Sequence, residues 1–112
     1  MESCLFCRII RGELPSQTVH KDDLVVAFKD IHPQAPVHVL VVPRKHIATL
    51  NDVQEADKDL IAHMFQTAKT IAKQSGVDEK GYRAVFNVSA EAGQTVYHLH
   101  LHIIGGRRLS WP

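Results

Sequence analysis

The sequence predicts one α+β domain built on an antiparallel sheet, and three observations carry that prediction. Short alternating segments outnumber helical ones, a single long amphipathic stretch interrupts them, and no regular strand–helix–strand alternation is present. At 112 residues there is room for one domain, spanning 1–112. A chain of this size buries roughly 65% of its unfolded surface, enough for one modest core.

The elements follow in order. Leu5, Phe6, Ile9 and Ile10 recur at helical spacing, so Cys4 to Gly12 reads as a short helix ended by glycine. Thr18 to His20 and Leu24 to Lys29 are β-branched and alternating, joined by Lys21-Asp22-Asp23 as a hairpin. A proline-bounded loop, Asp30 to Pro36, precedes a strand from Val37 to Val42 that is apolar on both faces except for His38 and stops at Pro43. Asp52 and Glu55 have the spacing of a capping box. Beyond them Leu60, Ile61, Met64, Phe65, Ala68, Ile71 and Ala72 form one helical stripe that reaches Gly76. Tyr82 to Val88 reads as a strand, Ser89 to Gly93 as a small-residue loop, and Thr95 to Ile104 as the last strand before Gly105-Gly106.

Composition removes several function classes. The formal net charge is +1, so no basic field exists to hold nucleic acid, and phosphate recognition must be local. No run approaches the ~20 apolar residues of a membrane span, and the acidic, polar start lacks the order of a signal peptide, so a cytoplasmic address is expected. Cys4 and Cys7 lie too close for a useful structural disulfide, leaving a metal site or two buried thiols.

Eight histidines are present, and three alternate in the run His98-Leu99-His100-Leu101-His102-Ile103. In a strand, alternation puts the leucines and isoleucine on one face and the imidazoles on the other, ~6.6 Å apart. Three cations on one face would repel one another in acid, so a negative or metallic partner is expected opposite them. Two chemistries fit. Neutral imidazole ligates metals, although no carboxylate is adjacent to complete such a site. Imidazole is also a nucleophile near neutral pH, and its neighbours can donate to phosphoryl oxygens. His38, alone in an apolar strand, needs a polar partner if buried.

The run His98-Leu99-His100-Leu101-His102-Ile103-Ile104 resembles the motif of the histidine triad (HIT) superfamily. The likeness extends through Asp30 to His38, Pro43 to Ile47, Asn87, Gly93 to Tyr97, and Gly105 to Pro112, in the manner of the Hint-type branch. The resemblance implies a five-stranded antiparallel sheet with one long and one short helix, dimerising into a continuous ten-stranded sheet. It implies hydrolysis of adenosine or guanosine phosphoramidates through a nucleotidyl-histidine intermediate, releasing the nucleoside monophosphate. His100 is then the nucleophile, His102 the phosphate and leaving-group donor, and His38 the orienting imidazole. Asn87, Gly93 and Thr95 match a phosphate loop, and Asp30 a ribose-binding carboxylate. Phe6, Ile9, Phe28, Ile31 and Leu40 match an apolar purine slot, which grips any purine without strongly sorting them. Trp111 matches a nucleotide-site residue on a tail that reaches toward the partner's active site.

Catalysis by this scheme requires no cofactor. Some bacterial members hold structural zinc, and the matching ligands here are Cys4, Cys7, His46 and His98. Expected partners are purine nucleotide conjugates and a second copy of the chain, with no nucleic acid and no membrane. Two other readings remain open: a dinucleoside polyphosphate hydrolase, and a nucleotide- or zinc-binding interaction protein whose hydrolysis is incidental.

Overall fold

Five strands pair antiparallel in the order β1-β2-β3-β5-β4, as seen in a computed structural model that describes residues 2–111. The elements are α1 (Leu5–Ile10), β1 (Thr18–Lys21), β2 (Val25–Lys29), β3 (Val37–Pro43), α2 (Lys58–Gln74), β4 (Tyr82–Val85) and β5 (Leu101–Gly105). Of the expected Trp111-Pro112 ending, Pro112 lies outside the described residues.

Alternation along the strands divides the molecule into two cores. Val25, Ala27, Val39, Val41, Leu101 and Ile103 face α2, where Met64, Ala68 and Ile71 meet them. The opposite face carries Val26, Phe28, Leu40 and Val42, covered by Phe6 of α1 with Ile9 and Ile10 beside it. Both faces of the central strands are therefore covered, which is why β3 reads apolar on both sides. His38 and His102 stand on this second face, because Leu40 pairs with His102 and His38 with Ile104 across β3 and β5.

Four sequence expectations needed correction. The last strand begins at Leu101 rather than Thr95, so His98 and His100 precede it. β4 ends at Val85, three residues early, where the chain leaves the sheet for the loop containing Ser89. Pro43 belongs to β3 as its last residue, a position that needs no ladder donor from it. The Asp52–Glu55 box does not start the long helix. Asp52 instead accepts from the Thr49 amide at 3.1 Å, closing a 3-10 turn, and α2 starts only at Lys58 after a second such turn. Within the helical stripe, Phe65 is exposed and packs edge-on against Phe86, while Thr67 takes a buried place.

Polar pins hold the periphery. His20 of β1 and His63 of α2 both donate to Asp22 Oδ2, at 2.7 and 2.8 Å, tying the hairpin to the helix. Partial burial raises the Asp22 pKa, but these bonds and two backbone amides outweigh it and hold the carboxyl well below its usual range. Among the described residues no helix is long and apolar enough to cross a membrane.

Candidate active site

The three alternating histidines do not share one target. Leu99, Leu101 and Ile103 do turn into the α2 core as alternation requires. The imidazoles opposite them separate into two groups, because His98 and His100 lie ahead of the strand. His98 is fully buried among Cys4, Cys7 and His46, whereas His100 and His102 stay together with ring centroids 4.9 Å apart. That is closer than the ~6.6 Å of a regular strand face, since the backbone is irregular at His100.

Backbone partners settle which nitrogen of each ring carries the proton. A carbonyl can only accept, so His98 must donate Nε2–H to the Pro43 carbonyl at 2.7 Å, leaving Nδ1 bare. His100 must donate Nδ1–H to the His98 carbonyl at 2.7 Å, leaving Nε2 with its lone pair. An amide can only donate, so the Gln34 N–H at 3.0 Å makes His38 Nδ1 an acceptor and places its proton on Nε2. That proton points to His102 Nδ1 at 2.9 Å, which in turn leaves His102 with a donor at Nε2. The outcome is one bare nitrogen on His100 beside one donating nitrogen on His102.

Burial keeps this set neutral. It lowers the pKa of His100 against opposing contributions from the His98 carbonyl and Asp30. His102 is pushed down to about 4 by burial, with the neighbouring His100 and His38 adding to the effect. For His38 burial also lowers the pKa, opposed by Asp30, whose Oδ2 is 3.4 Å from its Nε2. The His38 side chain is thus buried with its polar partners supplied, as its place in an apolar strand required.

Of the other expected residues, Asp30 and Phe6 contact this centre directly. Asp30 Oδ1 accepts from the His32 amide at 2.8 Å, which orients the carboxylate next to His38. Phe6, Phe28 and Leu40 are buried in mutual contact, with Phe6 edge-on to Phe28 at 5.4 Å and to His100 at 5.0 Å, and Ile9 is partly buried against them. They form a floor rather than an open slot. Ile31 is 84% exposed and borders a cleft of about 800 Å³ that includes Asp30 and His38 but neither His100 nor His102. Asn87 is half-buried, while Gly93 (φ 84°) and Thr95 are exposed in the loop before His98. Trp111 is exposed at the end of a tail that Arg83 holds by donating to the Ser110 carbonyl.

Gln94 was not anticipated. Buried within the loop, it accepts from the Ser89 amide and donates to the carbonyls of Ala48 and Val96 at 2.8 and 3.0 Å. It staples the segment carrying Gly93 and Thr95 to the body. In the sequence Gln94 stands only as part of the family-like stretch Gly93 to Tyr97, which gives it no role.

The second group is a four-donor cluster. Cys4, Cys7, His46 and His98 offer ligand atoms that all lie within 4.8 Å of one another. The two Nδ1 atoms are 3.2 Å apart, and three of the four Sγ–Nδ1 separations are 3.3 to 3.5 Å. A tetrahedral zinc ion with ordinary bond lengths would set these edges at roughly 3.3 and 3.6 Å, so the donors fit it. The Pro43 carbonyl supplies the outer partner that leaves His98 Nδ1 free to ligate. Burial pushes the Cys7 thiol up, with Cys4 adding to the rise, an environment that only a cation would reverse. Asp30, His38 and His102 also bring donor atoms within 4.8 Å, but the proton between the two rings makes them a hydrogen-bond relay.

The model of the HIT domain family matches residues 11–109. The chain belongs to the HIT family. It is 47% identical to the purine nucleoside phosphoramidase of Escherichia coli strain K12 over 108 residues, covering 96% of this chain and 91% of that one. Among solved structures, a HIT family hydrolase from Legionella pneumophila Philadelphia 1 superposes with a TM-score of 0.96 at 52% identity, covering 98% of each chain. A Zn-bound histidine triad family protein from Mycobacterium smegmatis matches with a TM-score of 0.81 at 30% identity, covering 95% of this chain and 76% of that one. The protein is accordingly a HIT family hydrolase with the family's five-stranded sheet.

Proposed function

We propose that this hydrolase cleaves purine nucleoside 5′-phosphoramidates of adenosine or guanosine through a covalent intermediate on His100. The single observation that carries the reading is the His100 Nδ1–H bond to the His98 carbonyl, which aims the proton away from the reacting side and leaves Nε2 as the nucleophile. Nε2 forms a bond to the α-phosphorus as the P–N bond breaks, and the amine departs with a proton taken from solvent. The His98 carbonyl stabilises the positive charge that His100 then bears. His102 donates from Nε2 to a phosphoryl oxygen, where negative charge grows in the transition state. Water next attacks phosphorus, releasing the nucleoside monophosphate and restoring His100. The E. coli relative's activity supports the substrate class.

In this reading Asp30 accepts from the ribose hydroxyls, with Ile31 against the base and Phe6, Ile9, Phe28 and Leu40 beneath it. Asn87, Gly93 and Thr95 approach the phosphate. Cys4, Cys7, His46 and His98 hold a structural zinc ion, which would anchor α1 and take no part in the chemistry. A homodimer completes the assembly, with Trp111 directed to the second copy.

The test is a rapid-quench and intact-mass experiment with adenosine phosphoramidate. Wild type should show a transient adduct of one nucleotidyl group, and His100→Gly should show none. Turnover by His100→Gly at the wild-type rate would overturn the reading. A preference for a diadenosine polyphosphate over the phosphoramidate would transfer the assignment to polyphosphate hydrolysis.

A further inference from the structure

Gln34 is held on both sides of its Cα. Its N–H donates to His38 Nδ1 at 3.0 Å, and its carbonyl accepts from Arg107 Nε at 2.9 Å. Arg107 follows β5 directly through Gly106, which has φ 96°. A Cβ at Gly106 would lie 3.1 Å from Pro36 Cβ, so the turn after β5 presses against the same loop. The Arg107 guanidinium also donates from Nη1 to the Arg108 carbonyl at 2.9 Å, which fixes its fork in place. A short chain of contacts therefore runs from the turn after β5 to the loop, to His38, and on to His102.

We propose that Arg107 is a positioning residue: by holding the Gln34 backbone it sets the tautomer of His38, and through it the donor nitrogen of His102. If the Gln34 amide swings away, His38 Nδ1 loses its obligatory donor and the ring can carry its proton on either nitrogen. In the alternative tautomer His38 presents a bare Nε2 to His102, which must then donate from Nδ1 and loses its donor at Nε2. Arg107 reaches neither ring. Its guanidinium acts on the relay only through the loop backbone.

This inference rests on the proposed role of His102 in turnover. The experiment is a nitrogen-detected NMR spectrum of the histidine rings in the ¹⁵N-labelled full chain, paired with steady-state kinetics on adenosine phosphoramidate. Wild type should show His38 and His102 each protonated at Nε2 alone. Arg107→Ala should shift both rings toward mixed tautomers and lower kcat about fivefold, the size of one net hydrogen bond, with KM within about twofold. Gly106→Ala, which pushes on Pro36, should move the same resonances in the same direction. Arg108→Ala removes an adjacent positive charge without touching Gln34 and should leave both readouts alone. Unchanged ring spectra in Arg107→Ala would overturn the clamp, and shifted spectra with unchanged kcat would overturn its bearing on the reaction. Should His100 prove dispensable, the reading of the reaction fails while the tautomer result still stands.

Discussion

The two imidazole groups are built from the same residue type, with His98 and His100 only two residues apart, yet the backbone orients them oppositely. At His98 the ring donates from Nε2 to the Pro43 carbonyl and turns Nδ1 toward two thiols and His46. At His100 the ring donates from Nδ1 to the His98 carbonyl and keeps Nε2 free beside His102. Both rings are buried, and burial lowers both pKa values. What would separate the proposed ligand from the proposed nucleophile is which nitrogen the backbone claims. Residue identity and burial do not distinguish them.

Breaking the nucleophile side should give the largest effect. His100→Ala should lower kcat by on the order of 10⁴-fold or more, about 5 kcal/mol of transition-state stabilisation, while leaving thermal stability near wild type. Single-turnover kinetics beside a melting curve checks both halves. A variant that melted early but still turned over would show the two groups exchanged.

The metal side should respond in the reverse sense. Cys7→Ser should abolish tight zinc binding, read as zinc per chain by elemental analysis, and lower stability by about 4 kcal/mol where free zinc stands a thousandfold above its dissociation constant. A chelator should reproduce the loss in wild type and do nothing further to the variant. Equal unfolding midpoints for wild type with and without chelator would count against a structural ion.

Acid sharpens the contrast on the His102 side. Its pKa is about 4 in the folded protein, against an ordinary 6.5. Above pH 6.5 the ring is neutral in both states and costs nothing. Between about 6.5 and 4 the unfolded chain gains the proton and the folded one does not, so stability falls as pH falls. The total is about 3 kcal/mol, reached near pH 4. Urea unfolding across that window should show the slope, and His102→Asn should remove this share of it, the remainder coming from His98, which burial also holds near 4.

The smallest effect should come from the residue that touches both groups. Phe6 sits between the two cysteines in sequence and packs edge-on to His98 and His100, at centroid distances of 6.1 and 5.0 Å. Phe6→Leu should cost about 1 kcal/mol in stability and slow turnover by only a few-fold. A loss as large as that of His100→Ala would mean that the ring edge does more than pack.

Much of this was readable before the fold was known. Periodicity located both helices and all five strands, because burial on one face demands spacing that residues display locally. Boundaries erred where a competing local bond won: Asp52 served Thr49 rather than the start of α2, and the backbone stayed irregular through His98 and His100. The resemblance named His38, His100 and His102, and the four possible metal ligands, before any contact was visible.

By itself, then, the sequence determined the class of fold and the core-facing side of the last strand, and through its family resemblance it singled out the candidate reactive side chains. Those depend on periods of two and 3.6 residues and on intrinsic chemistry, both local properties. Only the tertiary structure decided the separation of His98 from its neighbours, the tautomer of each ring, and the reach of Arg107 to Gln34. These depend on the carbonyls of Pro43 and His98 and the amide of Gln34, and a backbone group has no identity in sequence until folding brings it within 3 Å of a side chain.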